Sequence, residues 1–252
     1  MTRWKAALIH IGISATVAAI ACLLLLFVWY PPPYFHAAGA ERLMLLIVGV
    51  DVTLGPLLTF IVFKSGKPGL KFDLACIGTV QAIALIYGFH MMLASRPVFL
   101  VASVDRFVLV AANELDAKDV AAASRPAWAH LSWSGPVLVA TQRPSDPKQR
   151  DALLWSGIAG KDIEKFPRYY VDYAKAAAGL LQRARPLATL RAMHPSHAAE
   201  LDAWLTKHHR DGKGIVWLPI VARDDDLCML LDKASGQPLG AVAMDPWQAD
   251  PS

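Results

Sequence analysis

Charge is scarce where this chain begins. Of its 25 Lys/Arg and 21 Asp/Glu residues, only Arg3, Lys5, Glu41, Arg42, Asp51, Lys64, Lys67, Lys71 and Asp73 precede Ser95. A stretch so poor in charge does not read as the surface of an ordinary soluble fold. Cysteine is also sparse, with Cys22 and Cys76 inside apolar runs and Cys228 alone in the remainder. One cysteine cannot staple its own domain, and nothing has the C-x-x-C spacing of a metal site. No Lys/Arg-rich run accompanies the net charge of +4, which argues against a nucleic-acid partner. A G-x-S-x-G elbow and a phosphate-cradling glycine loop are both missing.

What the first part does contain is three long apolar runs: Ala6 to Tyr30, Leu43 to Phe63 and Phe72 to Ala94. At ~1.5 Å per residue each spans the ~30 Å hydrocarbon core of a bilayer. The first exceeds the 7–15 residues of a signal-peptide core, which favours a retained anchor despite Arg3, Lys5 and the small residues Ala38-Gly39-Ala40. Trp29, Tyr30 and Tyr34 suit an aromatic belt at the membrane surface, and Pro31-Pro32-Pro33 cannot continue a helix. Arg3 and Lys5 at the N-terminus, and Lys64, Lys67 and Lys71 between the second and third runs, mark the cytoplasmic side. Three crossings then place the C-terminal part outside the membrane, in the periplasm of a bacterium.

Asp51 is the acidic residue deep within a span, about 12 Å below the periplasmic surface by helical rise. An intramembrane carboxylate is costly and is a candidate functional group. Tyr87 is expected at similar depth, able to donate a hydrogen bond to it. Gly49 and Gly55-Pro56 interrupt the same helix, Pro56 removing a backbone donor. Two roles fit Asp51: a protonated group inside a packed bundle, or a grip on a partner helix.

Residues 96–252 carry a balanced charge and read as an α+β domain with a mostly antiparallel sheet. Strands are expected at Pro97–Ala102, Phe107–Val110, Gly135–Ala140, Ile215–Val221, Leu227–Asp232 and Gly240–Ala243. Helices are expected over Asn113–Ala123, Ser145–Ile158, Asp172–Arg185 and Ser196–His209, the last capped by Ser196. The histidines 194, 197, 208 and 209, with Glu200, read as solvated helix residues rather than a zinc site. Asp224-Asp225-Asp226 matches a sugar-transferase D-x-D pattern, but its place between two strands favours a turn. The tryptophans of this part read as core and edge packing.

The chain resembles the TfpX/TfpZ type IV pilin accessory proteins. The resemblance lies in Arg3-Trp4-Lys5-Ala6 with His10, Phe27-Val28-Trp29-Tyr30-Pro31, the block Gly49 to Thr59, Lys71-Phe72-Asp73-Leu74-Ala75 and Arg96-Pro97. It continues through Val104-Asp105-Arg106-Phe107, Ala112-Asn113-Glu114-Leu115, Trp133-Ser134-Gly135-Pro136, Pro167-Arg168-Tyr169-Tyr170 and Trp217-Leu218-Pro219. It implies a non-enzymatic inner-membrane accessory of pilus assembly that binds its cognate major pilin, with membrane lipid and other pilus assembly proteins as further partners. It implies no cofactor and no catalytic residues. An envelope enzyme that modifies pilin is the alternative, using the histidine region or the acidic turn. A signalling sensor is disfavoured, because no cytoplasmic output domain is present. Asp51, Pro56 and Tyr87 are the intramembrane candidates for partner contact. Arg168, Tyr169 and Tyr170, in the stretch Pro167 to Tyr173, are the periplasmic ones, with a core role for the tyrosines carrying at least equal weight.

Overall fold

A computed structural model describes residues 2–250. Three helices, α1 (Arg3–Trp29), α2 (Ala40–Val62) and α3 (Leu70–Ser95), are each long and apolar enough to cross a membrane. They start earlier than the apolar runs because their first turns carry the flanking charges. Thr2 caps α1 by accepting the Lys5 amide at 3.3 Å. α2 and α3 are entered from Gly39 and Gly69, whose φ angles of 70° and 79° favour glycine. The proline run ends α1 as expected, and a single helical turn, Tyr34–Ala37, fills the connection to α2.

The break at Gly55-Pro56 takes the form of a π turn over Val50–Leu54, a wide register that often lies beside a proline-disturbed ladder. Lower down, α1 and α2 pack closely, with Trp4 and Phe60 ring centroids 4.7 Å apart. α3 leans on α2 where glycine permits: the Gly88 backbone faces Ile47, and Gly55 faces Gln81. Near the far end Trp29 meets Phe89 edge-on at 6.0 Å, closing a cluster with Leu25, Tyr30, Phe35, Ala40 and Met92.

The C-terminal part is built on one sheet of β1 (Pro97–Ser103), β2 (Arg106–Ala111), β3 (Val137–Thr141), β4 (Tyr170–Val171), β5 (Arg185–Pro186), β6 (Ile215–Val221), β7 (Leu227–Asp232) and β8 (Pro238–Val242). The strand order is β4-β3-β1-β2-β6-β7-β8, with β5 also against β6. The sheet is mixed rather than mostly antiparallel: β1 pairs β3, and β2 pairs β6, in parallel. Long connections through residues 112–136 and 142–214 bring β3 and β6 back in the parallel sense, which a short hairpin cannot do.

Both faces of the sheet are covered, so its strands read as continuous apolar runs. Alternate residues of β6 divide between them: Val216, Leu218 and Ile220 join one core, while Ile215 and Trp217 join the other. Helices α5 (Leu187–Met193) and α6 (Ala198–Lys207) cover the second face beside β6–β8. The first face receives Ala37, fully buried, with Tyr34 packed beside it, both from the connection between α1 and α2. Burial pushes the Tyr34 phenol up to about 12.

Several expected elements differ. The helix over Asp172–Arg185 shortens to Ala177–Leu181, because the Tyr173 hydroxyl is drawn to the Gly236 carbonyl (2.6 Å) and Arg185–Pro186 joins the sheet. Asn113–Ala123 divides into a 3-10 turn and the short helix Ala117–Ala121. Ser196 does not cap α6; His197 precedes that helix, and the Ser196 side chain turns to Asp250.

Leu230, fully buried between β6 and β8 in the second core, supplies a test. Leu230→Ala is expected to lower stability by about 2–5 kcal/mol, read from the urea midpoint of the full chain in detergent. Leu154→Ala, at an exposed position, is expected to change it by less than about 0.5 kcal/mol.

Candidate functional site

Within the apolar helices, polar side chains gather around Asp51, which is buried. In π spacing a carbonyl bonds the N–H five residues on. For Asp51 that residue is Pro56, which has none. Gln81 on α3 answers this: its Nε2 donates to the Asp51 carbonyl at 3.2 Å and reaches Oδ1 at 3.5 Å. The Gln81 Oε1 is buried with no hydrogen-bond partner among the described residues. On the other side His10 bonds Thr59 (2.6 Å). The expected partner Tyr87 is absent from this group; it is exposed on the outer face of α3. The signal for Gln81 was available, since it is the single carboxamide in the α3 sequence.

A second set of contacts joins the helices to the sheet. The Tyr30 hydroxyl donates to the Met92 carbonyl (2.6 Å) and bonds Ser95 (2.9 Å). Arg96 donates to the Leu93 carbonyl (2.6 Å) and the Ser132 carbonyl (2.8 Å). The acidic stretch is the expected turn, and it also reaches the helix connection. The Asp224 amide donates to the Ala37 carbonyl (2.9 Å), and its carboxylate lies 3.5 Å from Arg42. Asp226 accepts from the Ala222 amide (2.8 Å) and from the Trp247 indole (2.6 Å). The aromatic belt expected of Trp29, Tyr30 and Tyr34 does not form at the surface. Trp29 and Tyr30 are buried, and Tyr34 is half-buried against the sheet.

At the opposite end of the sheet lies a groove of about 1100 Å³, bordered by Ser103, Thr141, Ile163 and Leu180. One wall is helix α4 (Pro147–Ile158), whose start is capped by Asp146 accepting the Lys148 amide at 3.1 Å. No residue of α4 is buried, and Leu154, Trp155 and Ile158 are 63%, 69% and 70% exposed. Arg143, Arg150 and Arg183 line the groove and enter no ion pair among the described residues. Val104 at the rim holds a φ of 50°, a strained conformation for a β-branched residue.

The candidate tyrosine patch divides. Arg168 is exposed and lies over the Phe166 and Tyr169 rings at 4.9 and 5.1 Å. It shares a hollow with Ser156 of α4 and Lys161, so it is contiguous with that helix. Tyr169 is half-buried. Tyr170 is withdrawn into the core, edge-on to Phe99 at 5.1 Å and donating to the Glu164 carbonyl (2.5 Å). Burial raises its phenol far above the ordinary range.

The histidines do not form one group. His194, expected in solvent, is buried between the Asp250 carboxylate and the Asp245 carbonyl, both at 2.8 Å. His197 meets Glu200 at 3.2 Å, and His208 stacks on Trp204 at 4.0 Å. Among the described residues no three His, Cys, Asp or Glu side chains stand where they could share a metal ion.

The fimbrial assembly protein FimB family model matches residues 1–39. Over 230 residues, 89% of each chain, the sequence is 31% identical to the fimbrial assembly protein of serogroup I of Dichelobacter nodosus. It is 29% identical over the same extent to that of serogroup E1. It is 40% identical over 110 residues to that of serogroups C1 and C2, covering 42% of this chain and 83% of the relative. No solved structure matches the chain.

The His194–Asp250 contact carries a pH dependence. Hydrogen bonds from Ser196 and then His194 hold the Asp250 carboxyl down to about 2. Burial alone would lower His194, but its bonds to Asp250 and the Asp245 carbonyl outweigh it and raise the imidazole. A depressed carboxyl adds stability above its usual value near 4, lost as pH falls toward 2. A raised imidazole adds stability below its usual value near 6.5, lost as pH rises through its folded value. Protection of the Ser196 amide from hydrogen exchange, corrected for intrinsic rate, is therefore expected to peak between about pH 4 and 6.5. His194→Asn should remove the alkaline decline.

Proposed function

The chain belongs to the fimbrial assembly protein family, and from that premise we propose that it is a membrane-embedded accessory of type IV pilus biogenesis, of the TfpX/TfpZ kind. It binds the pilus subunit before or during assembly and does no chemistry on it. The three helices cross the bacterial inner membrane with the N-terminus in the cytoplasm, as Arg3, Lys5, Lys64, Lys67 and Lys71 favour. The sheet domain then stands in the periplasm.

The observation that carries this reading is α4. Isolated helices of about 12 residues are marginal in water, and a helix in a domain normally gains its stability by burying a face. α4 is only partly covered, at Leu153, Ser156 and Gly157, and presents Leu154, Trp155 and Ile158 together. Apolar side chains grouped in this way mark an interaction surface. Arg143, Arg150 and Arg183 outnumber Asp162 and Glu164 in the adjoining groove, which suits a partner that brings carboxylates. β1 leaves the membrane at Pro97, and its last residues, Ala102 and Ser103, border the groove. At ~3.3 Å per residue the groove stands about 20 Å above the membrane, level with the folded head of a subunit still anchored by its own helix.

The second contact is intramembrane. α3 buries few of its residues against α1 and α2, and Asp51 with Gln81 offers polar groups to an approaching helix, with Pro56 holding the turn open. Two weak contacts on one partner raise the effective concentration of each for the other. Arg168 and Tyr169 extend the periplasmic surface beside α4.

The test is a crosslinked pull-down from native membranes with partners identified by mass spectrometry. The wild-type chain is expected to enrich the major pilin, and Trp155→Asp with Ile158→Asp to reduce that enrichment at least tenfold at unchanged membrane levels. Recovery of other envelope components without pilin would remove the reading. For the intramembrane contact, Asp51→Asn is expected to lower surface piliation several-fold. Full piliation would show that the charge of Asp51 is not needed.

A further inference from the structure

Of the aromatic residues placed by sequence at the membrane surface, Trp29 and Tyr30 are buried and Tyr34 half-buried, and a tryptophan from a distant segment occupies that level instead. Trp133 is 66% exposed, and its loop, residues 132–136, is held to the ends of two membrane-length helices. Arg96, which directly follows α3, donates to the Leu93 carbonyl and to the Ser132 carbonyl, bridging the last helical turn and the loop. The same guanidinium lies 5.1 Å from the Trp133 ring, a cation–π distance. On the loop's other side Gly135 backs onto Pro31, just beyond α1: its φ is 64°, and an added Cβ would stand 2.9 Å from the proline Cγ.

The apolar surface at this end continues past the indole. Val137, 39% exposed, opens β3 and pairs with Phe99, two residues into β1 from the membrane end. Trp133 and Val137 are thus exposed apolar groups at the end of the sheet nearest the helices. Tryptophan has an apolar ring and one N–H donor, the combination enriched where hydrocarbon gives way to headgroups.

We propose that the loop 132–136 is a foot on the bilayer, with the Trp133 indole seated among phospholipid glycerol and headgroup atoms. The occupant is lipid rather than protein because the indole is clamped beside the helix ends, where the bilayer surface must lie if α1–α3 span it. The inference rests on that spanning reading. The foot fixes the tilt of the sheet domain and, with it, the height at which α4 stands.

The experiment uses the full chain in phosphatidylcholine–phosphatidylglycerol nanodiscs, in which acyl chains are brominated either near the glycerol or near the bilayer centre. The Trp133 emission is obtained by subtracting a Trp133→Phe sample, with Trp133→Tyr as a second reference. Expected is at least twofold quenching of that difference signal by the shallow bromine, little by the deep bromine, and little by aqueous iodide. Iodide quenching with no effect of brominated lipid would overturn the foot and point to a water-facing or partner-facing indole. A chain that fails to enter discs, and is fully digested by protease added to intact vesicles, would instead overturn the spanning reading. The two failures are thereby separate.

Discussion

Between the last turn of α3 and the first residue of β1 stands a single residue, Arg96. With so short a joint, the sheet cannot swing on the helices unless β1 leaves the sheet, and β1 is buried along its whole length. Arg96 is itself buried and donates to the Leu93 and Ser132 carbonyls. Burial, with no acid partner among the described residues, lowers its guanidinium from the usual value. It remains charged, because an arginine stays protonated through the accessible pH range. A buried cation satisfied by carbonyls and an aromatic face is a demanding arrangement, since losing either carbonyl would leave a donor unpaired. The orientation of the domain follows from it.

The opposite connection is equally direct. Ala37 and Tyr34 are inserted into the core over one sheet face, and the Asp224 amide holds the Ala37 carbonyl. The apolar first third of the chain and the sheet domain therefore share a hydrophobic core. A boundary at residue 95 follows the change in composition, but the packing crosses it. The reason is physical: β1, β2, β6 and β7 are apolar on both sides, and the face not covered by α5 and α6 has to be closed by other elements, the α1–α2 connection among them.

The parts legible in sequence were those with strong periodicity or run length. The three helices, the β1–β2 pair and the strands β6 and β7 all stand within a few residues of where hydropathy puts them. What was not legible depends on partners distant in sequence. Pairing sense is one example, since apolar runs look alike in parallel and antiparallel ladders. Tyr170 is another: beside Arg168 its sequence fits a recognition residue and a core residue alike, and its seat against Phe99 and Trp128 decides for the core. Trp29 and Tyr30 look interfacial for the same reason, until Met92 and Phe89 cover them. Gln81 was readable in principle. An amide in an apolar helix needs a partner, and a helix containing Pro56 has a carbonyl to offer.

The distribution of unpaired groups then bears on function more than any motif does. Buried polar atoms in folded proteins are nearly all satisfied, and here the exception among the described residues, Gln81 Oε1, sits beside Asp51 in the helices. Helices in domains normally bury a face, whereas α4 is only partly covered, beside three arginines that enter no ion pair among the described residues. The two departures lie apart, one among the apolar helices and one at the far end of the domain, joined by a short connection at Arg96. On the proposed function, such spacing suits a partner that is itself long, with a membrane helix and a head above it. Rigidity in the joint favours such a partner for a specific reason. If the two contacts could move independently, the second would have to be found anew after the first formed. With their separation fixed, a partner of matching length meets both at once, while one of the wrong length meets only one.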